Sequence, residues 1–524
     1  MVTKDDVSSP ACPRCEASGG CDCYLPTMVP LSDPAAAAVE IPGEVSVEKH
    51  LSSLFGRDSI YVLLWALQTG LAAAVTPVAT RLLGTQAYGQ VIAALAVMQL
   101  LFCVAGLGLG SAVDRSYFEE NGPERARKLV TFAMVVAVVI TVIADATGRF
   151  WAPAAGFDSY GGAVRLGVIW AGVSAITACG LGLLKTQDRI VVFAIGSLTQ
   201  SIIAEFVSIS FVVGFGHNSR NFVLGELVAQ IMATIYVLYY IRPKPFLRAD
   251  RDVVMRAVRY GVPLVPAGLA TLALYSADRL ILQGMLGETE IGRYQIAYNI
   301  GSIPVVLLMF LNSVWLPRFF AIGNNLDLGP LLAATRDALY QLLAPVLLGI
   351  LCGGALVLKV WAPPSYEPGH LQVLMFVIVM TTLPYAASQS GQRALMTTGA
   401  TKEIAVVTAI SAGVNIGINF PLINAFGLIG AAIATLVSYV VLQVLFNLAT
   451  RRHMRIPRIG VRRAAELVLL SVGGWGIALL PDNSYVLVFR IVATIVAIVW
   501  FARTAWRLAK PPAEEPAPPV AATV

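Results

Sequence analysis

The sequence predicts an all-α polytopic membrane protein with about 14 transmembrane helices, from its hydropathy, the length of its apolar stretches and the charges between them. Its 524 residues are 57% hydrophobic and only 13% charged, with a mean hydropathy of +0.73. Soluble globular chains carry about 25% charged residues, so most of this chain must face lipid. The composition excludes a soluble enzyme and a disordered chain, and 7 cysteines over this length are no disulfide framework.

Each predicted helix is a stretch of about 20 apolar residues, the length that crosses a bilayer core about 30 Å thick. Such stretches are too long for the strands of a membrane barrel, which span about ten residues. We number them as spans 1 to 14, in this order: 59–82, 88–112, 128–148, 163–184, 190–214, 221–241, 259–282, 291–316, 332–360, 371–392, 403–424, 427–449, 464–481 and 485–506.

The charges between the spans predict the orientation. Loops that follow even-numbered spans carry 22 Lys and Arg residues, whereas loops that follow odd-numbered spans carry 6. Positive residues near span ends stay on the cytoplasmic side, so the even loops are predicted to be cytoplasmic, together with both termini. The unbroken alternation of this bias also supports the count of 14.

The two terminal segments are polar. Residues 1–55 lack the basic start and short apolar core of a signal peptide, so we expect this tail to stay on the protein. Its last part, Ser46–Phe55, is amphipathic and is predicted to lie on the membrane surface. Residues 511–524 are predicted to form a disordered cytoplasmic tail.

Four cysteines of the N-terminal tail form a C-x2-C-x5-C-x-C cluster, namely Cys12, Cys15, Cys21 and Cys23. Four thiolates can hold zinc tetrahedrally, and a cytoplasmic tail would keep them reduced. Their spacing is tighter than that of ordinary zinc modules. We therefore predict unstructured or redox-active thiols, with a zinc site as the weaker alternative.

Two sequence matches indicate an internal repeat. LGTQAYGQVIAA, from Leu83, aligns with LGETEIGRYQIA, from Leu286, which pairs Gly84 with Gly287 and Gly89 with Gly292. NFVLGELVAQIMAT, from Asn221, resembles FGLIGAAIATLVSY, from Phe426, at a similar shift. Spans 1–6 are therefore predicted to repeat as spans 7–12. Since six is even, both copies share one orientation.

This repeat divides the chain into five predicted parts. They are the tail 1–55, an N-lobe 56–242 with spans 1–6, a C-lobe 243–450 with spans 7–12, two extra helices in 451–510, and the tail 511–524.

Three segments of the sequence are similar to a known family: YGVPLVPAGLATLALYSADRLILQGMLGETEIGRYQIAYNI (260–300), LLGTQAYGQ and FGLIGAAIATLVSY. They resemble the polysaccharide transport proteins of the multidrug/oligosaccharidyl-lipid/polysaccharide flippase superfamily, over about Leu54 to Trp506. The resemblance implies a V-shaped pair of six-helix bundles around a central cavity that opens alternately to either side. It also implies a substrate, an oligosaccharide on a polyprenyl diphosphate, which is flipped from the cytoplasmic to the outer leaflet.

Such a cleft must offer cations to the diphosphate and polar groups to the sugar, and charges within the membrane are functional candidates. Arg279, with Asp278 as its charge partner, is the first candidate; the alternative is an ion pair that locks span 7 to a neighbour. The remaining candidates lie in or just after span 10 and in span 11: Gln389, Gln392, Arg393, Asn415 and Asn419. The alternative for Arg393 is an inside-positive charge anchor, and the alternative for Asn415 and Asn419 is helix packing.

Acidic residues within spans could carry the protons or sodium ions that drive turnover. The predicted ion-coupling candidates are Glu205, central in span 5, and Asp145, at the end of span 3. Glu226 and Asp278 are the other two acidic candidates within spans. The alternative for each is a buried carboxyl group that bonds to a neighbouring helix. The sequence does not indicate which ion is coupled.

The sequence favours a transporter over an enzyme. The predicted outer loops are about a dozen residues or fewer, the 4 histidines form no metal-binding pair, and no phosphate-binding glycine loop is present. We therefore expect no cofactor and no nucleic-acid partner. A cation-coupled multidrug antiporter of the same superfamily is the nearest alternative, and a membrane glycosyltransferase or polymerase is a more distant one.

The predicted topology can be tested with reporter fusions. A reporter joined after Asn324 should lie in the cytoplasm and one after Pro364 outside, because the loop bias places these segments at opposite ends. Compartment-specific enzyme activity of the two fusions is the measurement. The reverse pattern would refute both the orientation and the cytoplasmic termini.

Overall fold

The computed structural model describes the backbone of residues 59–509 except 120, 158, 247–249, 310, 313–327 and 482. Side chains are described from Ala74 to Leu508, with the same gaps. The predicted surface helix Ser46–Phe55, the cysteine cluster of the tail and residues 511–524 lie outside the described residues.

Every regular element in the described part is helical, which confirms the predicted fold class. The α-helices are α1 (Ser59–Gly106), α2 (Leu109–Ser116), α3 (Gly122–Ala146), α4 (Gly148–Ala154), α5 (Gly162–Thr186), α6 (Ile190–Leu198), α7 (Ala204–Phe215), α8 (Ser219–Ile241), α9 (Arg251–Gly261), α10 (Leu264–Leu286), α11 (Glu288–Gly301), α12 (Leu328–Trp361), α13 (Leu371–Met380), α14 (Thr382–Thr397), α15 (Thr401–Phe426), α16 (Leu428–Thr450), α17 (Val461–Ala478) and α18 (Ser484–Ala509). A π-helical turn, Thr199–Ile203, joins α6 to α7, and a 3-10 turn, Pro364–Tyr366, precedes α13.

Within the described residues, 11 helical segments are long and apolar enough to cross a membrane. Spans 1 and 2 run together as α1, which bends at Gly84. Span 8 continues into residues 313–327, which are not described, and span 13 (α17) carries Arg462, Arg463 and Glu466. The count of 14 therefore stays a prediction, whereas the polytopic helical architecture is confirmed.

Contacts between loops define two ends of the structure. At one end the Thr80 hydroxyl donates to the Trp361 carbonyl (2.7 Å) and the Tyr366 hydroxyl to the Gly84 carbonyl (2.9 Å), which joins the turns after spans 1 and 9. At the other end Lys128 pairs with Asp250 at 3.0 Å, which joins the loops before span 3 and after span 6. We name the second end, which holds most Lys and Arg residues, the basic end.

Equivalent helices of the predicted repeat pack in equivalent pairs. In the N-lobe α8 (span 6) packs on α5 (span 4) and α7 (span 5), and in the C-lobe α16 (span 12) packs on α14 (span 10) and α15 (span 11). Helices α17 and α18 pack on α12, outside both sets. The division of the chain into an N-lobe and a C-lobe stays a prediction.

The two copies of the glycine motif pack directly against each other. Gly84 and Gly287 share a left-handed φ, at 71° and 85°, which glycine adopts without strain. A Cβ atom on Gly89 would lie 1.8 Å from the Glu288 carbonyl oxygen, and one on Gly292 would lie 2.7 Å from the Thr85 carbonyl oxygen. Thr85 and Glu288 are themselves equivalent in the repeat, so this contact between the lobes is symmetric.

The lobes also meet near the basic end. There the chain breaks between α1 and α2 at Leu107 and Gly108, whose φ values of 45° and 64° are left-handed. A Cβ atom on Gly108 would lie 2.3 Å from the carbonyl oxygen of Gly261, the last residue of α9. In this conformation the N-lobe and C-lobe are therefore in backbone contact toward both ends.

Replacing Gly89 by valine should destabilise the protein, because the new side chain collides with main-chain atoms of Glu288 that cannot rotate away. Overpacking of this kind costs about 1–3 kcal/mol or more. The midpoint of thermal unfolding of the purified protein in detergent measures the effect.

Gly413→Val is the matched control, since Gly413 also lies within a helix and has open space around its Cβ position. Equal midpoints for the two variants would contradict the close packing of the lobes at the repeated glycines.

Candidate functional site

A buried polar cluster lies inside the C-lobe around Asp278 and Arg279 of α10. These two residues are only 3% and 7% exposed. The helix of span 7 is interrupted at Val262 and Pro263, since proline cannot donate a backbone hydrogen bond, and α10 starts afresh at Leu264. The cluster lies in the half of α10 that is farther from the basic end.

Four protein groups surround the Arg279 guanidinium. Its Nε donates to the Gln295 side-chain oxygen at 2.9 Å, and its Nη1 donates to the Asp278 carboxylate at 3.1 Å and to the Tyr275 carbonyl. The Tyr298 ring lies beneath the cation, with 4.1 Å between the guanidinium carbon and the ring centre. A buried arginine with these partners keeps its charge without water.

The Asp278 carboxylate is bound as completely. One oxygen accepts the Tyr294 hydroxyl at 2.5 Å, and the other accepts both the Arg279 side chain and the Arg279 backbone N–H, the latter at 2.9 Å. In this conformation the pair is therefore held among protein groups of α10 and α11. This geometry matches the ion-pair alternative, and any contact with a ligand requires the cluster to open.

Three tyrosines from three spans continue the cluster. The Tyr275 hydroxyl donates to the Tyr385 hydroxyl at 3.1 Å, and the Tyr439 ring centre lies 5.3 Å from that of Tyr385. The Tyr439 hydroxyl has no hydrogen-bond partner among the described residues. The tyrosines thus leave one polar group inside the C-lobe for water or a ligand.

The candidates of span 10 lie on α14. Arg393 is fully buried, and its Nε donates to Asn312 of span 8 at 2.7 Å. Gln389 is buried and interacts with Tyr385, which connects it to the tyrosines. Gln392 is half-buried. The structure therefore brings Gln389 close to the cluster and places Arg393 between spans 8 and 10.

The candidates of span 11 face the lobe interior on α15. Asn415 and Asn419 are buried, and the Asn419 side-chain nitrogen donates to the Asn415 carbonyl at 2.8 Å. The Asn415 side-chain nitrogen and the Asn419 side-chain oxygen have no partner among the described residues. Helix packing alone gives these two polar atoms no hydrogen-bond partner, so they are available to water or a sugar hydroxyl.

The two predicted ion-coupling acids have different surroundings. Asp145 accepts two hydrogen bonds from Arg165 (2.9 and 3.1 Å) and one from the Tyr160 hydroxyl (2.7 Å), an arrangement that favours a structural ion pair. Glu205 follows the π-helical turn of span 5, a feature often found at functional sites. It lies within electrostatic reach of Glu226, which accepts the Ser208 hydroxyl at 2.9 Å.

The acids of the N-lobe connect to the cluster of the C-lobe. Glu205 also lies within electrostatic reach of Tyr88 on α1, and the Tyr88 hydroxyl interacts with the Asn299 side chain on α11. Asn299 in turn accepts a hydrogen bond of 2.6 Å from Gln295, which binds Arg279. Polar side chains therefore run across the lobe contact from Glu205 to Arg279.

The sequence reasoning missed the part of the site on α11. Tyr294, Gln295, Tyr298 and Asn299 form two pairs spaced four residues apart, so they share one helix face. Polar residues with this period in an apolar span are a signal that could have identified them. No group of three metal-binding side chains occurs among the described residues, and the tail cysteines lie outside them.

The helical architecture, with 11 apolar helices in the described part long enough to cross a membrane, is that of a multi-pass membrane protein. Residues 55–322 match the polysaccharide biosynthesis protein family, and the chain belongs to that family. No protein of curated function matches the sequence.

Solved structures share the fold at low identity. The chain is similar to a structure described as lipid II flippase MurJ in an inward closed conformation, with 14% identity, a TM-score of 0.65, and coverage of 85% of this chain and 99% of the other. It is also similar to inward-facing and outward-facing multidrug resistance MATE transporters of the MOP superfamily. Their identities are 13% and 14%, their TM-scores 0.57 and 0.53, and they cover 81% and 80% of this chain against 99% and 98% of theirs.

Replacing Arg279 by alanine should lower the stability of the purified protein by about 3–5 kcal/mol, because it leaves the Asp278 carboxylate buried without its cation. The double variant with Asp278→Asn should regain part of the loss, since asparagine carries no charge. The midpoint of thermal unfolding in detergent is the measurement, and Arg462→Ala, an arginine exposed on α17, is the control. A double variant as unstable as the sum of the two single variants would contradict the ion pair.

Proposed function

We propose that the protein is a flippase that moves polyprenyl-diphosphate-linked oligosaccharides or polysaccharide repeat units from the cytoplasmic to the outer leaflet. The lobes would alternate between open and closed contacts at the two ends, without catalysing a chemical reaction. The head of such a substrate cannot cross hydrocarbon, whereas its polyprenyl tail need not leave it. A path between two lobes that opens sideways to lipid meets both requirements.

The observation that carries the proposal is the sign of the buried charge. Three arginines, Arg279, Arg336 and Arg393, are buried in the C-lobe, and Asp278, its one buried acid among the described residues, is bound by Arg279 and Tyr294. Charges within a membrane are costly and are retained for function. A C-lobe site for organic cations would instead present unpaired acids, so the C-lobe favours an anionic head over the drug-antiporter alternative. The acids within the N-lobe spans, Glu205 and Glu226, would serve ion coupling instead.

In the proposed cycle, separation of the lobes would open the cluster around Arg279 to the substrate. Asp278 and Tyr298 hold the guanidinium in place for a diphosphate oxygen, and Gln389, Gln392, Asn415 and Asn419 would bind sugar hydroxyls. Arg393, in the half of α14 nearer the basic end, would attract the diphosphate on entry. The backbone contacts at Gly89 and Gly108 would be the closures that part in turn.

We further propose that Glu205 is the ion-coupling residue, with Glu226 as its partner and Asp145 as the weaker candidate. Protonation or cation binding at Glu205 changes the charge next to Tyr88, whose contact with Asn299 reaches Gln295 and Arg279. The occupancy of an acid in the N-lobe can thereby act on the binding cluster in the C-lobe.

The proposal also assigns a location and partners. The protein would lie in the cell inner (plasma) membrane with both termini in the cytoplasm. Its partners would be the lipid-linked glycan, membrane lipid, and glycosyltransferases or a polymerase of the same pathway.

Transport by the purified protein in liposomes tests the proposal, with a fluorescent oligosaccharide on polyprenyl diphosphate as substrate. The wild-type protein should flip this lipid. The Arg279→Lys variant should be about tenfold slower, because lysine keeps the positive charge but loses the paired hydrogen-bond donors of the guanidinium. Transport by the Glu205→Gln variant should no longer respond to an imposed proton or sodium gradient. Arg462→Lys and Glu466→Gln on α17, where the two side chains are exposed, are the controls with the same side-chain and charge changes.

Export of an organic cation such as ethidium without flipping of the glycolipid would reject the flippase and favour the antiporter. An unchanged rate for a well-folded Arg279→Lys would remove Arg279 from the binding site.

A further inference from the structure

A polar pocket that is separate from the buried cluster lies at the basic end of the C-lobe. It has a volume of about 390 Å³ and lies between α12, α14, α16 and the segment Arg451–Gly460 that leads to α17. We name this segment the strap and the cavity the strap pocket. Its polar lining comes from Arg336, Ser390, Gln443, Asn447, Arg451 and Arg458.

The strap begins with a turn at residues 451–453 and is held in place by both apolar and polar contacts. Met454, Ile456 and Ile459 are half-buried and pack on the hydrophobic core, while Pro457 and Arg458 between them are exposed and line the pocket. Arg336 on α12 donates to the Pro457 carbonyl of the strap at 2.8 Å. The pocket therefore has a defined wall on the side of the strap.

The lining is cationic and rich in donors. It contains three arginines, and none of the lining residues is an acid. Among the residues that the structure describes, the only carboxylate bound to a lining arginine is that of Asp337, next to Arg336. Gln443 and Asn447 are polar, and no hydrogen bond within the described part of the chain occupies their amides. Such a set of fork-shaped cations and amide donors suits the oxygen atoms of a phosphate group.

The surface of α16 next to the pocket is apolar. Val440, Val444 and Leu448 of α16 follow one another at intervals of four residues, so they form one stripe along the helix, and they are 44%, 49% and 52% exposed. Gln443 and Asn447 of the pocket directly precede Val444 and Leu448. A molecule with a phosphate in the pocket could therefore lay hydrocarbon chains along this stripe.

We propose that the strap pocket binds the headgroup phosphate of an anionic phospholipid, whose acyl chains lie along Val440, Val444 and Leu448. The apolar stripe selects a phospholipid over a free phosphate ion, which would gain nothing from it. The bound lipid joins α16 and the strap to α12, and so fixes the connection between the C-lobe and the two extra helices. This site does not depend on the proposed transport function.

Thermal unfolding in detergent micelles doped with phosphatidylglycerol tests the site, because a lipid that binds the folded protein raises the unfolding midpoint. Arg458→Gln and Asn447→Leu should each weaken the apparent affinity for phosphatidylglycerol about tenfold, the effect of losing a charge-assisted or buried polar contact to phosphate. Both residues are exposed, so neither change should prevent folding.

Arg455→Gln is the matched control, since Arg455 lies on the same strap but does not line the pocket. Phosphatidylcholine tests the requirement for a net negative charge, and inorganic phosphate tests whether the lipid chains matter. The proposal is overturned if phosphatidylglycerol does not stabilise the wild-type protein, if either other probe stabilises it equally, or if Arg455→Gln weakens binding as much as Arg458→Gln.

Discussion

A charge in a membrane is stable only while protein groups replace the water that it has lost, and in this protein that constraint centres on Arg279. Its guanidinium is held by Asp278, Gln295, the Tyr275 carbonyl and the Tyr298 ring, and Asp278 is held in turn by Tyr294. These groups come from α10 and α11, which are therefore fixed to each other. The Tyr275–Tyr385 hydrogen bond extends the same constraint to α14.

The contact between the lobes depends on small residues, whereas the buried cluster depends on charge. Gly89 and Gly292 allow the main chains to approach where any side chain would collide, and Gly108 does so near the basic end. Hydrogen bonds across the lobes accompany the glycine contact, among them that of the Gln90 side-chain nitrogen to the Glu288 carboxylate at 2.8 Å. Gly89 and Gly292 lie on the same helices, α1 and α11, that carry Tyr88 and Asn299, so a movement at these two glycines would also change the polar path between Glu205 and Arg279.

The sequence predicted the features that depend on one helix or on the repeat. Hydropathy located the helices, the alternating charges matched the two sets of loops, and the repeat paired Gly84 with Gly287, which share one backbone conformation. It could not predict that Gly89 packs on Glu288, because the approach of two distant segments is set by the packing of the whole lobe. For the same reason it identified Asp278 and Arg279 but not Tyr294 or Gln295, which reach them from the next helix.

In the two functions that we propose, the distribution of arginines would separate transport from attachment to lipid. Arg279 and Arg393 are buried and donate hydrogen bonds to neighbouring spans, so a ligand would reach their charge only when the surrounding helices move. Arg451 and Arg458 are exposed at the basic end, where charge is available in every conformation. A diphosphate that must be released on the far side needs a site of the first kind, because binding has to change with conformation. A lipid that holds the extra helices in place needs a site of the second kind, because its binding must persist while the lobes move.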